Sequence, residues 1–299
     1  MDEKCAPSKS YKDGSCFSLK SLKKIAENYN LKNPKKKISI SDNKSKLVED
    51  LENKLKDKCN DQTCWLRMDF IKAMKDEEIE ENTFRPEGPK NRKEWLSTTD
   101  INNVVSQYQE KNKSFLYLGA VPADFQELEI LGIGDLDFNE LINDNKHEIG
   151  MVINLDESWK SGSHWVSFYA NLKKNQIYYF DSFGKKPYKR TRKFVNDILK
   201  FLYKKKYNKE LKINKVLKNL KGGGPKKIDD LKPFDVRYNS IQHQFSTSEC
   251  GVYSMNFVIR LALGETFDEI TKNVTKDPDM NRCRGTYFRN ITVSSDEKS

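Results

Sequence analysis

One cysteine in the stretch Gln244-Phe245-Ser246-Thr247-Ser248-Glu249-Cys250-Gly251 stands where a polar loop gives way to an apolar run. Val252, Met255, Ile259 and Leu263 follow at helical spacing, which predicts a helix with one face buried and Cys250 in its first turn. Unpaired backbone amides and the positive end of the helix dipole favour a thiolate over a thiol at such a place. The position suits a nucleophile, and a nucleophilic thiol needs a base.

The chain has three histidines, His147, His164 and His243, and only His164 has a suitable setting. It opens the β-rich run His164-Trp165-Val166-Ser167-Phe168-Tyr169-Ala170-Asn171-Leu172, which is followed by the polar turn Lys173-Lys174-Asn175. A second strand, Gln176-Ile177-Tyr178-Tyr179-Phe180, ends in Asp181-Ser182-Phe183-Gly184. A tight hairpin returns the chain to its starting end, so the Asp181 carboxylate is expected near the His164 ring. A cysteine, a base and a carboxylate that fixes the tautomer of the base are the groups that thiol catalysis requires.

The order His164-Trp165, Asp181 seventeen positions later, and Gln244 six positions before Cys250-Gly251 resembles the SUMO-protease and adenovirus-protease superfamily of cysteine peptidases. Upstream, Glu94-Trp95-Leu96-Ser97-Thr98-Thr99-Asp100-Ile101 resembles that family's entry motif, and the likeness spans roughly residues 85 to 290. Within the superfamily the chain is most similar to the polyprotein-processing proteases of large DNA viruses, such as that of African swine fever virus. The resemblance implies His164 as base, Asp181 as its orienting acid, Cys250 as nucleophile and Gln244 as oxyanion donor together with the Cys250 backbone amide. It also implies that Trp95 and Trp165 roof a narrow tunnel for small residues, typically Gly-Gly, before the cleaved bond. Some of the nearest viral relatives carry Asn in place of Asp181, and either side chain can accept from imidazole.

Each of these residues alone has an ordinary reading. A cysteine before a helix is commonly a small buried hydrophobe, and tryptophans are commonly core or rim aromatics. Their joint order in the chain is what favours catalysis. Three functions fit that order: an endopeptidase that cleaves viral structural polyproteins after Gly-Gly-type sites during virion maturation, an isopeptidase for SUMO or another ubiquitin-like modifier, and a non-catalytic scaffold or nucleic-acid-binding protein. The first is the expected one, and the resemblance places it in the host cytoplasm at virus assembly sites and in the virion.

The expected fold is α+β: a papain-like, ubiquitin-like-protease arrangement with a central mixed sheet, the nucleophile at a helix N-terminus, and a small helical domain in front. Residues 1–84 form that helical domain, residues 85–292 the peptidase domain, and residues 293–299 a disordered tail, with a boundary at Thr83-Phe84-Arg85-Pro86-Glu87-Gly88-Pro89. Ser18 caps a predicted helix through Leu19, Leu22, Ile25, Ala26 and Tyr29, and a second pattern uses Leu47, Val48, Leu51 and Leu55. These two helices around a basic loop resemble SAP-type nucleic-acid-binding modules, and a helical docking domain fits equally well. Further expectations are a helix from Trp95 to Tyr108 capped near Ser97 or Thr98, a helical stretch from Ala123 to Leu131, a strand Met151-Val152-Ile153-Asn154-Leu155, a helix marked by Phe194, Val195, Ile198, Leu199, Phe201 and Leu202, and a strand through Phe234 to Ile241.

Four of the six cysteines, Cys5, Cys16, Cys59 and Cys64, fall in the first 64 residues. Their spacing permits a metal site or two disulfides, but it is looser than zinc signatures and no histidine accompanies it. Neither a metal nor another cofactor is expected, and reduced thiols are the expectation for an intracellular protein. No apolar leader and no long apolar run is present, which argues against secretion and membrane spanning. Of the net charge of +10, the block 185–227 contributes disproportionately, with 17 Lys or Arg against Asp197 and Glu210. Such a block could bind nucleic acid or be a solvated face. Inside it, Gly222-Gly223-Gly224-Pro225 reads as a surface loop.

Overall fold

A computed structural model describes residues 5, 11–59, 62–65, 68–74, 76, 79, 85–221 and 234–288. The chain divides into two compact units, one of Met1–Lys90 with Arg282–Ser299 and one of Asn91–Asn281. Thr83, Phe84, the Gly222 to Pro225 loop and the expected tail at 293–299 lie outside the described residues.

In the first unit, the Ser18 hydroxyl accepts the Ser21 backbone N–H and starts α1 (Leu19–Lys32), while the Asn43 side chain accepts the Lys46 N–H and starts α2 (Lys44–Leu55). The apolar faces expected from periodicity are the buried ones: Leu22, Ile25, Ala26 and Tyr29 on α1, and Leu47, Val48, Leu51 and Leu55 on α2. Short helices α3 (Gln62–Trp65) and α4 (Asp69–Lys72) follow. Trp65 is fully buried and its ring stacks on Phe17 at 6.4 Å between centroids. Each such burial contributes roughly 1.5–3 kcal/mol, which is how a small unit acquires a core. The reduced-thiol expectation is not met here. Cys5 and Cys16 are joined by a disulfide, with their Cα atoms 5.0 Å apart, and Cys59 is disulfide-bonded as well. Cys5 and Cys59 both sit in the core of this unit, where folding brings thiols into bonding range. The Cys64 side chain lies outside the described residues. Among the described residues no group of His, Cys, Asp or Glu is placed to hold a metal ion.

In the second unit, α5 (Thr98–Val105) and α6 (Gln107–Lys111) lead into β1 (Phe115–Val121). Then come α7 (Phe138–Asn143), β2 (Glu148–Asn154), β3 (Trp165–Asn171), β4 (Gln176–Phe180), α8 (Lys189–Tyr207) and α9 (Ile213–Lys221). β5 (Asp235–Tyr238), α10 (Cys250–Ala262), α11 (Phe267–Lys272) and α12 (Asp277–Tyr287), whose residues from Arg282 onward belong to the first unit, complete the order of elements. The five strands form one mixed sheet in the order β1-β2-β3-β4-β5, parallel at its two outer pairs and antiparallel in the middle. This is the expected α+β class.

The sheet is covered on both faces, which explains why β3 alternates only partly in sequence: all seven of its residues are buried. On one face, Phe168 meets Phe194 of α8 at 5.2 Å. On the other, α10 lies so close that a methyl group on Gly150 of β2 would come within 2.7 Å of Val258 and of the Phe115 ring. No helix among the described residues is long and apolar enough to cross a membrane.

Two sequence expectations are corrected. The expected cap near Ser97 or Thr98 is Ser97, which forms a reciprocal capping box with Asp100 and starts α5 at Thr98, so Trp95 and Leu96 precede the helix. Ala123 to Leu131 is a series of turns that closes with one 3₁₀ turn at Glu129–Leu131. There the Asp124 carboxylate accepts the Ser158 backbone N–H and hydroxyl, both at 2.8 Å, tying the segment to another loop. β1 and α7 are elements that periodicity did not reveal.

Replacing Gly150 with Ala should destabilise the protein by about 1–3 kcal/mol through overpacking between the sheet and α10. An unchanged denaturant midpoint would contradict this packing.

Candidate active site

The two middle strands pair with Ser167 opposite Phe180 and Asn171 opposite Gln176, and the turn between them is closed by Asn175 in the left-handed region at φ 53°. This register sets the residue before β3 beside the residue after β4. His164 Nε2 and Asp181 Oδ1 are 2.8 Å apart, with the ring N–H donating to a carboxylate that is completely buried. The Phe183 backbone N–H donates to the same Asp181 oxygen at 2.9 Å, and the Phe183 ring stacks on His164 at 4.7 Å. Asn239, just past β5, braces the Asp181 backbone from both sides. Its Oδ1 accepts the Asp181 N–H at 2.9 Å, and its Nδ2 donates to the Asp181 carbonyl at 2.7 Å.

Nε2 is thus committed to Asp181, leaving Nδ1 for the sulfur of Cys250, the first residue of α10. The Cys250 side chain is near enough to the ring to raise its pKa. Burial alone would pull the His164 pKa down, but the hydrogen bonds and negative charge of Asp181 and Cys250 outweigh it and push the ring up to about 9. An imidazolium held between a carboxylate and a sulfur can stabilise a thiolate and later supply a proton.

Gly251 has a steric reason: a methyl group there would lie 3.0 Å from the Leu96 Cβ. Leu96 is fixed in turn by the Trp165 indole, whose Nε1–H donates to the Leu96 carbonyl at 2.9 Å. Trp165 is buried, and Trp95 is 47% exposed. Both line a cavity of about 590 Å³ with Leu128, Leu131, Asn154 and Asp156. The Gln244 side chain is fully buried. Its Nε2 donates to the Ser246 carbonyl at 2.8 Å, and its Oε1 accepts the Ser182 hydroxyl at 2.6 Å.

The other histidines stand apart from this arrangement. His243 is held low, by burial first and then by Arg260, and packs edge-on against Phe180 and Tyr253. His147 is held low by burial and nearby lysines. The structure therefore brings His164, Asp181 and Cys250 together and sets Trp165 beside them. Trp95 lines the same cavity as Trp165, and His164, Asp181, Cys250 and Gln244 are not among the residues that line it. In the basic block, α8 turns its lysines outward while Phe194, Ile198, Leu199 and Leu202 are buried, and part of the charge is paired, Lys204 with Glu210 and Lys200 with Asp197. Residues 222–227 of the block lie outside the described residues. Sequence reasoning missed Asn239 and Phe183, which only the folded register brings to the Asp181 carboxylate.

Known proteins share this pattern. Residues 139–295 match the model of the Ulp1 protease family, C-terminal catalytic domain. A protein of Acanthamoeba polyphaga mimivirus, named provisionally as a thiol protease, is 31% identical over 308 residues, covering 96% of this chain and 93% of its own. A cysteine protease of African swine fever virus is 23% identical over 265 residues, covering 81% of this chain and 88% of its own. A crystal structure of the African swine fever virus protease superposes with a TM-score of 0.55 at 19% identity, covering 97% of this chain and 96% of that one, and shares its fold.

At pH 7, iodoacetamide should alkylate Cys250 faster than Cys283 although Cys250 is 2% exposed and Cys283 is half-buried. Substituting Asp181 with Ala should slow the Cys250 reaction by about tenfold or more, by releasing His164. Equal rates at the two cysteines, read by peptide mass mapping, would contradict the ion-pair geometry.

Proposed function

The chain belongs to the Ulp1 protease family and is a cysteine protease, and from that premise we propose that Cys250 is the nucleophile, His164 the base, Asp181 the orienting acid and Gln244 an oxyanion donor. The observation that carries this reading is the His164 ring bonded to a completely buried Asp181 at 2.8 Å, with Cys250 near enough to raise the pKa of the ring. In the first half-reaction the Cys250 thiolate attacks the scissile carbonyl carbon. The negative oxygen that develops is met by the Gln244 Nε2–H and the Cys250 backbone N–H. His164 gives its proton to the leaving amine as the C–N bond breaks, leaving a thioester. His164 then takes a proton from water, the hydroxyl adds to the thioester, and the carboxylic acid product leaves as the thiol is restored.

The substrate we propose is a polyprotein cleaved after Gly-Gly-type sites. The indoles of Trp95 and of Trp165, the residue after His164, line one cavity and support this, because flat rings flanking a chain leave little room for side chains beside the reacting carbonyl. Similarity over most of the chain to proteins of two large DNA viruses supports a role in virion maturation at assembly sites in the host cytoplasm and in the particle. Acyl transfer at Cys250 would serve equally for a ubiquitin-like modifier, so the choice rests on substrate.

Wild type and Cys250→Ala should be compared on a fluorogenic peptide containing Gly-Gly-Ala and on a SUMO C-terminal fusion. The expected result is cleavage of the peptide, abolished in the variant, with the fusion left largely intact. Efficient release from the fusion would reassign the substrate to ubiquitin-like modifiers. Cleavage that persists in the variant would remove Cys250 from its role.

A further inference from the structure

Gln244 lies in an irregular loop, yet a hydrogen-bond donor for a transition state must be held still. The backbone N–H groups of His243 and Gln244 both donate to the Ser182 carbonyl, at 2.8 and 2.9 Å, which anchors the start of the loop to the segment after β4. Its far side is held by one carboxylate at the start of α12. Asp277 Oδ2 accepts the Phe245 N–H and the Ser246 N–H, each at 2.8 Å. The Tyr253 hydroxyl of α10 lies 3.2 Å from Asp277 Oδ1 and 2.8 Å from the Thr275 carbonyl, so the same carboxylate faces the helix that carries Cys250. The Ser246 carbonyl, whose residue Asp277 fixes through its N–H, is the acceptor for Gln244 Nε2. One Nε2 hydrogen is thereby directed to Ser246, and the direction of the other follows from the planar geometry of the amide.

We propose that Asp277 is a positioning residue for the oxyanion donor: it clamps the Phe245-Ser246 backbone and, through the Ser246 carbonyl, orients the Gln244 amide toward the reacting carbonyl. This rests on the assignment of Gln244 as oxyanion donor. The hydrogen bonds of Asp277 run to Phe245, Ser246 and Tyr253 and not to His164 or Cys250, so its effect is expected on the oxyanion donor rather than on the His164–Cys250 pair. A charged acceptor suits the task, because one oxygen accepting two backbone amides makes a stronger clamp than a neutral group would.

The test uses a Gly-Gly p-nitrophenyl ester, which acylates Cys250 without needing a protonated leaving group, alongside iodoacetamide, whose displacement at carbon needs no oxyanion donor. Asp277→Ala should lower kcat for the ester by about 10- to 100-fold, the scale of a small misplacement of a catalytic group. KM and the rate of Cys250 alkylation should stay within about twofold. Asp277→Asn, which keeps an acceptor oxygen without the charge, should recover part of the loss. In a Gln244→Ala background Asp277→Ala should cost nothing further, since the two act as one unit. Unchanged kcat in Asp277→Ala overturns the proposal, as does an equal fall in kcat and alkylation, or additive losses in the double variant. If Gln244→Ala itself keeps full kcat, or if wild type gives no p-nitrophenolate above a Cys250→Ala blank, the assignment of Gln244 or of acyl transfer fails first and takes the proposal with it.

Discussion

The bond between His164 and Asp181 ties the ends of two neighbouring strands, and the site is assembled around it. A slip of one residue in the β3/β4 pairing would turn every side chain to the opposite face of the sheet. It would also carry Asp181 past the imidazole. The Asn175 turn, the register of Ser167 with Phe180, and the Asn239 brace on the Asp181 backbone all resist that slip. Because the carboxylate is completely buried, its charge acts on the ring with little screening by water. The folded protein consequently holds the His164 proton more tightly than an unfolded chain does. The stabilisation from this group is fully present below pH 6.5 and is lost as pH rises through about 9.

The second constraint is the close approach of α10. Gly150 lets the helix settle on the sheet, and Gly251 lets the Leu96 segment reach the first turn of that helix. Trp165 links the two by its bond to the Leu96 carbonyl. Two glycines and one indole N–H therefore fix the distance between the strand that follows His164 and the helix that starts at Cys250. Trp95, beside Leu96, lines the cavity with Trp165 although it belongs to no helix.

Much of this was legible in the sequence because its determinants are local. The hairpin from His164 to Asp181 follows from two β-rich runs around a Lys-Lys-Asn turn, and the helix after Cys250 from its apolar spacing. The cap at Ser18 was legible for the same reason. What escaped depends on contacts distant in sequence. Ala123 to Leu131 has helical composition but is held in turns by Asp124 bonding to Ser158. The pairing of Cys5 with Cys16 depends on the core that buries Cys5, and neither the clamp by Asp277 nor the brace by Asn239 leaves any periodic signal. The entry motif around Trp95 was recognised, while the capping role of its Asp100 became clear only from the geometry.

The most direct measurement is an NMR titration of the His164 ring in protein with labelled histidine, assigned by comparison with His164→Gln and repeated in Asp181→Asn. The expected result is a wild-type pKa of about 9 that moves down in the variant, because burial then acts with less opposition. A wild-type ring that titrates at 6.5 or below would contradict the ion-pair arrangement on which the proposed chemistry depends.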